Sequence, residues 1–589
     1  MLSDLLKTLR PKLPGQPLLL ELDLPRGVVS TPADNPLQAL RTRQAATMRE
    51  IRDGLRRGAK DSDVAGLVVH IGASTLTSDQ LDELAELIVE FGRSKPTIAW
   101  SETFGEFGNG MLGYRLATAA KEIWVQPSGA VGLHGVQLDI LLLRGGLEKL
   151  GIDPEFGQRK EFKTAADQFA ATEVTEANRE MMQGIADSIL DDTVRIVAER
   201  RNLDPEAVRL AVDNSPLTAH DAQQAKLVDR IGYRDQVYAE LRRRYGKQKP
   251  AANRSVDGVN QDEPELALQY ANRYARHAGG PLQNFEQLLN KNKPSIGVVT
   301  LHGAIVSGIS QPGANRAGSD TVSAHLREAG RDDSVKAVVL RIDSPGGSYV
   351  ASDLIRREVQ RLRESGKPVV ASMGQVAASG GYFAAMGCDT IVANPTTLTG
   401  SIGVLAGKFV TQGLFDKIGV IREQIIAGAN AGMMGGAEPF SERQWEKLDA
   451  WLDEVYADFT SKAAADRGMP LEQLEPLARG RVWTGSAAQQ RGLVDTLGGM
   501  GTALDEAARR SGHERDDLTL RGVPVLPWLD QVRPPESSES FGIGAQSEPL
   551  FPGGLLTGGP EARLAALARL AGLPQPAGVL ALPWQVRIG

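Results

Sequence analysis

The chain has 589 residues, of which 41% are apolar, and a formal net charge of −7. That length suits three or four average domains with sizeable cores. The acidic balance argues against a nucleic-acid binder, which would show a basic face. A single cysteine, Cys388, excludes a disulfide framework or a cysteine metal cluster, and seven scattered histidines with no HxxxH or HxH pair argue against zinc, so no cofactor is expected.

The N-terminal segment 1–16 and the residues after it, "MLSDLLKTLRPKLPGQPLLLELDLP", read as neither a signal peptide nor a membrane span. Their apolar runs are short and broken by charge and proline, and no window approaches the ~18 apolar residues a span needs. The expectation is a cytoplasmic protein without a transmembrane segment.

From there the chain repeats itself. Gly113–Val136 ("GYRLATAAKEIWVQPSGAVGLHGV") aligns with Gly381–Val404 ("GYFAAMGCDTIVANPTTLTGSIGV"), so that Tyr114 meets Tyr382, Pro127 meets Pro395 and Gly135 meets Gly403, each 268 residues apart. The same offset carries "GGLEKLG" (145–151) onto "GLFDKIG" (413–419). Three more pairs follow in the same order with small shifts: "DVAGLVVHI" and "SVKAVVLRI", "SKPTIAW" and "GKPVVAS", "DAQQAKLVDRIG" and "AAQQRGLVDTLG". Five matches in one order are a duplication. They define an N-terminal repeat over 17–244, a polar linker with a connecting helix "LALQYANRYARHA" over 245–292, a C-terminal repeat over 293–511 and a Pro/Gly/Leu-rich tail over 512–589.

In the C-terminal repeat, "IGVVTLHG", "AVVLRID", "KPVVASM" and "TIVANP" read as buried strands. "SDLIRREVQRLRESG" reads as an amphipathic helix with Leu354, Ile355, Val359 and Leu362 on its apolar face and Gly366 at its end. Strands alternating with helices predict an α/β fold with largely parallel sheets and flanking helices.

The chemistry concentrates in "AASGGYFAAMG" (Ala377–Gly387). Ser379 follows a predicted strand, and Gly380 and Gly381 permit a tight turn and close approach of a peptide backbone. A serine so placed uses the next backbone N–H, that of Gly380, as an oxyanion donor. "DSPGGS" (Asp343–Ser348) offers a second donor through Gly346 or Gly347. Taken alone, Ser–Gly–Gly is equally a glycine turn packed for close helix–sheet approach.

A serine nucleophile needs a base. His302, His325 and His513 sit in no triad-like motif. The duplication points to a lysine instead. The N-terminal counterpart of Ser379 is Met111, and "SPGG" corresponds to "ASTL" (Ala73–Leu76), whereas Lys163 in "KEFKTAADQF" corresponds to Ala431 in the C-terminal repeat. Serine in one half and lysine in the other suggest one composite site. To work near pH 7–8 the lysine must fall from a pKa of about 10.4, at a cost of roughly 3–4 kcal/mol that burial can supply. Met433, Met434 and Phe162 are candidate apolar neighbours, and Ser401 in "TGSIGV" is a candidate for orienting the amine. Lys160 is the rival base in the same segment, and a solvated surface lysine is the other reading of Lys163.

At these residues the chain resembles the signal peptide peptidase A (protease IV) family in its long, tandem form. The likeness runs over about residues 17–511 and rests on "DSPGGS", "AASGGYFAA", "NPTTLTGSIGV", "AEPF" and "GLVDTLGG" in the C-terminal repeat and on "FKTAADQF" in the N-terminal one. The lysine segment departs from the family's Tyr-Lys-Ser-Ala-like run and Glu-Pro-Phe: Phe162 replaces the tyrosine, Thr164 the serine and "DQF" the "EPF". The resemblance implies two tandem crotonase-like (Clp-protease-like) repeats and a Ser–Lys dyad split between the halves. Ser379 would be the nucleophile, Lys163 the base, Ser401 its orienter, and Gly380 and Gly347 the oxyanion donors.

The implied activity is hydrolysis of released signal peptides and other short or unfolded peptides, with a preference for small or apolar residues. The implied assembly is a ring-like homotetramer. Long members in many bacteria carry an N-terminal anchor, which is not read here. "PEARLAALARLAGLP" (Pro560–Pro574) is a helix candidate for peripheral membrane contact or for capping the oligomer. The alternatives to a peptidase are a crotonase-like acyl-thioester-binding enzyme and an inactive scaffold.

Overall fold

The computed structural model describes residues 17–29, 45–72, 76–106, 108–247, 264, 266–278, 293–310, 315–523 and 580–581. The segment 1–16, most of the linker and the helix candidate Pro560–Pro574 lie outside them. Among the described residues, no helix is long and apolar enough to cross a membrane.

Two compact units form, and neither is one continuous stretch. Of the described residues, the first takes those within 17–136 and 189–278, and the second those within 137–188 and 293–581. The segment 137–188, which carries Lys163, therefore folds with the C-terminal repeat.

The first unit is built on a six-stranded sheet in the order Arg230–Ile231, Glu122–Val125, Thr97–Ser101, Val64–His70, Leu18–Asp23, Ala267–Tyr270, with every pairing parallel. The second unit repeats this plan. Its main sheet runs Val482–Thr484, Leu398–Gly400, Val369–Ala378, Val335–Ser344, Ser295–His302, Thr519–Gly522, and Thr390–Ala393 pairs beside Val369–Ala378. Only the Leu398–Gly400/Val482–Thr484 pairing in it is antiparallel. Runs of valine, isoleucine and alanine make these strands: Val335–Ser344 and Val369–Ala378 are buried almost throughout, as parallel strands covered on both faces must be.

The duplication extends to single hydrogen bonds. The Tyr114 hydroxyl donates to Leu227 O at 2.7 Å, and the Tyr382 hydroxyl to Leu493 O at 3.0 Å. Ile123 N–H donates to Asp229 at 2.7 Å, Ile391 N–H to Asp495 at 2.7 Å, and each aspartate also pairs with an arginine, Arg201 or Arg467. Even the register break at the start of the first strand recurs, at Leu18/Leu19 and at Ser295/Ile296.

Two details differ from the sequence reading. The stretch expected to be a connecting helix begins as the strand Ala267–Tyr270, parallel to Leu18–Asp23, and becomes helical only over Ala271–Ala278. Pairing with an open sheet edge outweighs local helical preference there. The predicted amphipathic helix spans Tyr349–Glu364 with Ser348 as its side-chain N-cap, and it buries Ile355, Val359 and Leu362 but leaves Leu354 exposed. Leu354 lies about 100° round the helix from Ile355, off the face that Ala351, Ser352, Val359 and Leu362 share with it.

Candidate active site

The strand Val369–Ala378 ends at Ser379, and the helix Gly380–Met386 starts immediately after it. Ser379 holds φ 54° and ψ −114°, a conformation L-residues rarely adopt, at a cost of about 1–3 kcal/mol that the surroundings must hold in place. They do so from both sides: Ser379 N–H donates to Gly400 O at 2.8 Å, and Ser379 O accepts from Phe383 N–H at 2.8 Å. The turn tolerates no side chain at its glycines. A Cβ on Gly380 would lie 2.5 Å from Ser352 Oγ, and one on Gly381 would lie 2.8 Å from Ser344 O.

The same crowding brings the two expected oxyanion donors together, since the Cβ position of Gly380 is 3.2 Å from Gly347 N. Gly346–Gly347 forms a short strand beside Ala304–Val306. That pairing uses the Ser348 N–H, which donates to Ile305 O at 2.8 Å, rather than the Gly347 N–H.

Lys163 reaches this turn from the other repeat. It follows the strand Asp153–Arg159, which lies antiparallel to Val404–Val410 over seven residues, from Val404 opposite Arg159 to Val410 opposite Asp153. Its Nζ lies 2.9 Å from Ser379 Oγ, 3.0 Å from Ser401 Oγ and 3.0 Å from Ser401 O. Lys163 is 1% exposed, and Ser379 and Ser401 are wholly buried. No carboxylate contributes to its environment, and burial alone pushes the amine down from 10.5 to about 7.

A neutral amine has two N–H donors and one lone pair. The two oxygens of Ser401 accept the two N–H bonds, which leaves the lone pair for the Ser379 hydroxyl. Ser401, also at positive φ (52°), is fixed by its own N–H donating to Arg481 O at 2.7 Å.

Of the candidate apolar neighbours, Met433 packs against the hydrophobic core and Met434 does not. Met434 is 58% exposed on an open loop, Ala431 is exposed on the same loop, and Phe162 stacks under the Arg481 guanidinium at 4.6 Å. The main chain of Gly480 packs closely against Lys163. Gly480, at φ 83°, passes so close that a Cβ there would be 2.5 Å from Lys163 N, and its own N–H donates to Ile402 O at 2.7 Å. Sequence reading missed Gly480; its only trace is a glycine between two arginines in "ARGRVW". The rival Lys160 is exposed, with its amine 5.6 Å above the Tyr456 ring. Among the described residues, no group of histidine, cysteine and carboxylate side chains is placed to hold a metal ion.

The sequence profile of peptidase family S49 matches residues 90–247 and 361–514, together more than half of the chain. Lys163 lies in the first region, and Ser379 and Ser401 in the second. The chain is 31% identical over 469 residues to the chloroplastic serine protease SPPA of Arabidopsis thaliana, covering 79% of this chain and 66% of that protein. It is 30% identical over 477 residues to Protease 4 of Salmonella typhi, covering 79% and 72%. It is also 30% identical over 493 residues to Protease 4 of Haemophilus influenzae, covering 81% and 75%. It thus spans about two thirds to three quarters of the length of these relatives. With its duplicated parallel sheets and both profile regions in place, the chain belongs to peptidase family S49 and has that family's Clp-protease-like α/β fold.

Proposed function

We propose that this chain is a serine endopeptidase working through a Ser379–Lys163 dyad. The observation that carries the reading is the Lys163 amine, buried without a counter-charge and 2.9 Å from Ser379 Oγ. Neutral Lys163 takes the Ser379 proton as Oγ attacks a peptide carbonyl carbon. The N–H groups of Gly380 and Gly347 receive the oxyanion. The C–N bond then breaks as Lys163 returns the proton to the leaving amine, and a water, deprotonated by the same lysine, hydrolyses the ester. Ser401 holds the amine on line throughout. The substrates are extended peptides with small or apolar residues, released signal peptides among them.

A fluorophosphonate probe tests this directly. It should label Ser379 in the wild-type chain and label neither Ser379→Ala nor Lys163→Ala. Labelling that survives loss of Lys163 would remove the lysine from the mechanism. An absence of labelling in the wild type, together with acyl-thioester binding, would replace the peptidase reading with a crotonase-like one.

We further propose a homo-oligomer, the resemblance giving four copies. Within the second unit, the arm Asp153–Arg159 pairs with Val404–Val410. Shifted by 268, the arm becomes residues 421–427 and its partner strand becomes residues 136–142. Both counterparts lack a strand partner here, and Ile421 (96% exposed), Ile425 (98%) and Leu141 (64%) face solvent. A second copy supplies the missing partner to each. Light scattering of the wild type and of Ile425→Asp should show a multimer and a smaller species respectively; equal masses would refute this pairing.

A further inference from the structure

The ladder that carries the arm Asp153–Arg159 along Val404–Val410 ends with Arg159 opposite Val404, four residues short of Lys163. A separate stretch, Arg479–Arg481, takes over from there. It bonds to the lysine loop on one side and to the Ser401 turn on the other. Arg479 O accepts from Phe162 N–H at 3.2 Å, and the Arg479 guanidinium pairs with the Glu161 carboxylate at 2.9 Å. Gly480 N–H donates to Ile402 O at 2.7 Å, and Arg481 O accepts from Ser401 N–H at 2.7 Å.

The Arg481 side chain adds a grip that the backbone does not give. Its guanidinium lies 4.6 Å from the centre of the Phe162 ring and 4.6 Å from that of Trp483, within reach of a cation–π contact to each. It donates to Glu180 at 2.6 Å, which fixes its direction. Trp483 is itself anchored. Its indole N–H donates to Leu477 O at 2.9 Å, and its strand Val482–Thr484 pairs with Leu398–Gly400, which leads into Ser401. Phe162 is the residue before Lys163. A guanidinium suits this place because it is planar, always charged, and stacks on a ring while its N–H groups bond to a carboxylate.

We infer that Arg481 is a positioning residue for the proposed base: its guanidinium fixes the Phe162 ring, and with it Lys163, against the Ser401 turn that its own carbonyl holds. The inference deepens the dyad reading and rests on it. Freed of the stack, the loop lets the amine leave the Ser379 hydroxyl and lets water reach it, and hydration favours the protonated form. Besides Arg481, the charged and titratable groups bordering the loop are its own Lys160 and Glu161, Glu475 and Arg479 on the facing stretch, Glu180 on the helix Glu176–Arg201 and Tyr456 on the helix Glu442–Arg467. Removing Arg481 also takes away one cation, so the test needs a variant that breaks the stack and keeps the charge.

The measurement is the rate at which a fluorophosphonate probe labels Ser379 in the full chain, followed from about pH 6 to pH 10. The wild-type rate should rise through an inflection at about 7. Arg481→Met and Phe162→Leu should each label at least about 10-fold more slowly at pH 7, with the inflection raised by about one pH unit or more and the deficit narrowed to about 3-fold by pH 9.5. Phe162→Leu leaves the Arg481 charge in place, so its shift reports the lost stack. The double variant should be no slower than the slower single one, because both changes remove the same contact. Phe162→Tyr, which keeps the ring, should keep the wild-type inflection. A smaller folded fraction lowers the rate but leaves the inflection of the folded enzyme where it is. An unchanged inflection in either single variant, or losses that multiply in the double variant, would overturn the inference and leave the dyad in place. Labelling that persists in Lys163→Ala would overturn the dyad reading, and the inference with it.

Discussion

Replacing Lys163 with methionine tests the central claim through stability, independently of any substrate. In the unfolded chain this lysine titrates at its ordinary 10.5, whereas in the folded chain burial holds it near 7. Between those values the unfolded state binds a proton that the folded state does not, so stability rises with pH across that window. At pH 7 the deficit is about 4–5 kcal/mol, and at pH 9.5 it has shrunk to about 1.5 kcal/mol. Methionine carries no charge and keeps a similar length, so the Lys163→Met chain lacks this dependence. Its stability relative to wild type should therefore be about 3 kcal/mol more favourable at pH 7 than at pH 9.5. The bonds to Ser401 are lost at both pH values and cancel in the comparison. Urea unfolding of the two proteins at both pH values measures the double difference. A value within about 1 kcal/mol of zero would mean that folded Lys163 is protonated at pH 7 and cannot be the base.

Other consequences follow from the same geometry. The kcat/KM for a small peptide should rise with pH through an apparent pKa of about 7 and then level off, as the lysine loses its proton; a profile rising steadily to pH 10 would assign the base elsewhere. Ser379→Ala and Lys163→Ala should each lower kcat by about 10⁴-fold or more, and the double variant should be no worse, because nucleophile and base act as a unit. Lys160→Ala should change kcat by less than about 3-fold, its amine being exposed. Gly480→Ala should cost far more activity than Gly366→Ala: both glycines sit at φ near 82°, but a Cβ at 366 meets open space and one at 480 meets the Lys163 backbone.

How legible the site was depended on the kind of signal. Buried parallel strands advertise themselves as runs such as "AVVLRI", and the offset of 268 pointed to Lys163 and Met111 because duplication preserves order even where chemistry diverges. Ser379 could be found because its strained turn demands glycines immediately after it. What surrounds Lys163 could not be found in this way. Met434, suitable by composition, is exposed, and the close packing of main chain at Gly480 against Lys163 leaves only a glycine as its trace. The strand Ala267–Tyr270 escaped for a related reason: four residues are too few to show a period, and only the open edge at Leu18–Asp23 makes them extended.

The duplication also explains why the two halves can differ without losing the site. Each repeat supplies a turn at a helix start and an arm that follows a short helix and a left-handed glycine, Gly151 in one and Gly419 in the other. The turn in the N-terminal repeat carries Met111, fully buried at the start of Met111–Ala117. The arm in the C-terminal repeat carries exposed isoleucines and no lysine at the matching place. Under the proposed dyad these copies carry no chemistry, and the proposed assembly uses the exposed arm. The proposed catalytic pair, turn from one repeat and arm from the other, lies within the second compact unit. Under the proposed dyad, a turn of the Ser379 kind is active only where such an arm buries a lysine against it. In the other combination of turn and arm, Met111 and Ala431 stand where the proposed dyad needs serine and lysine.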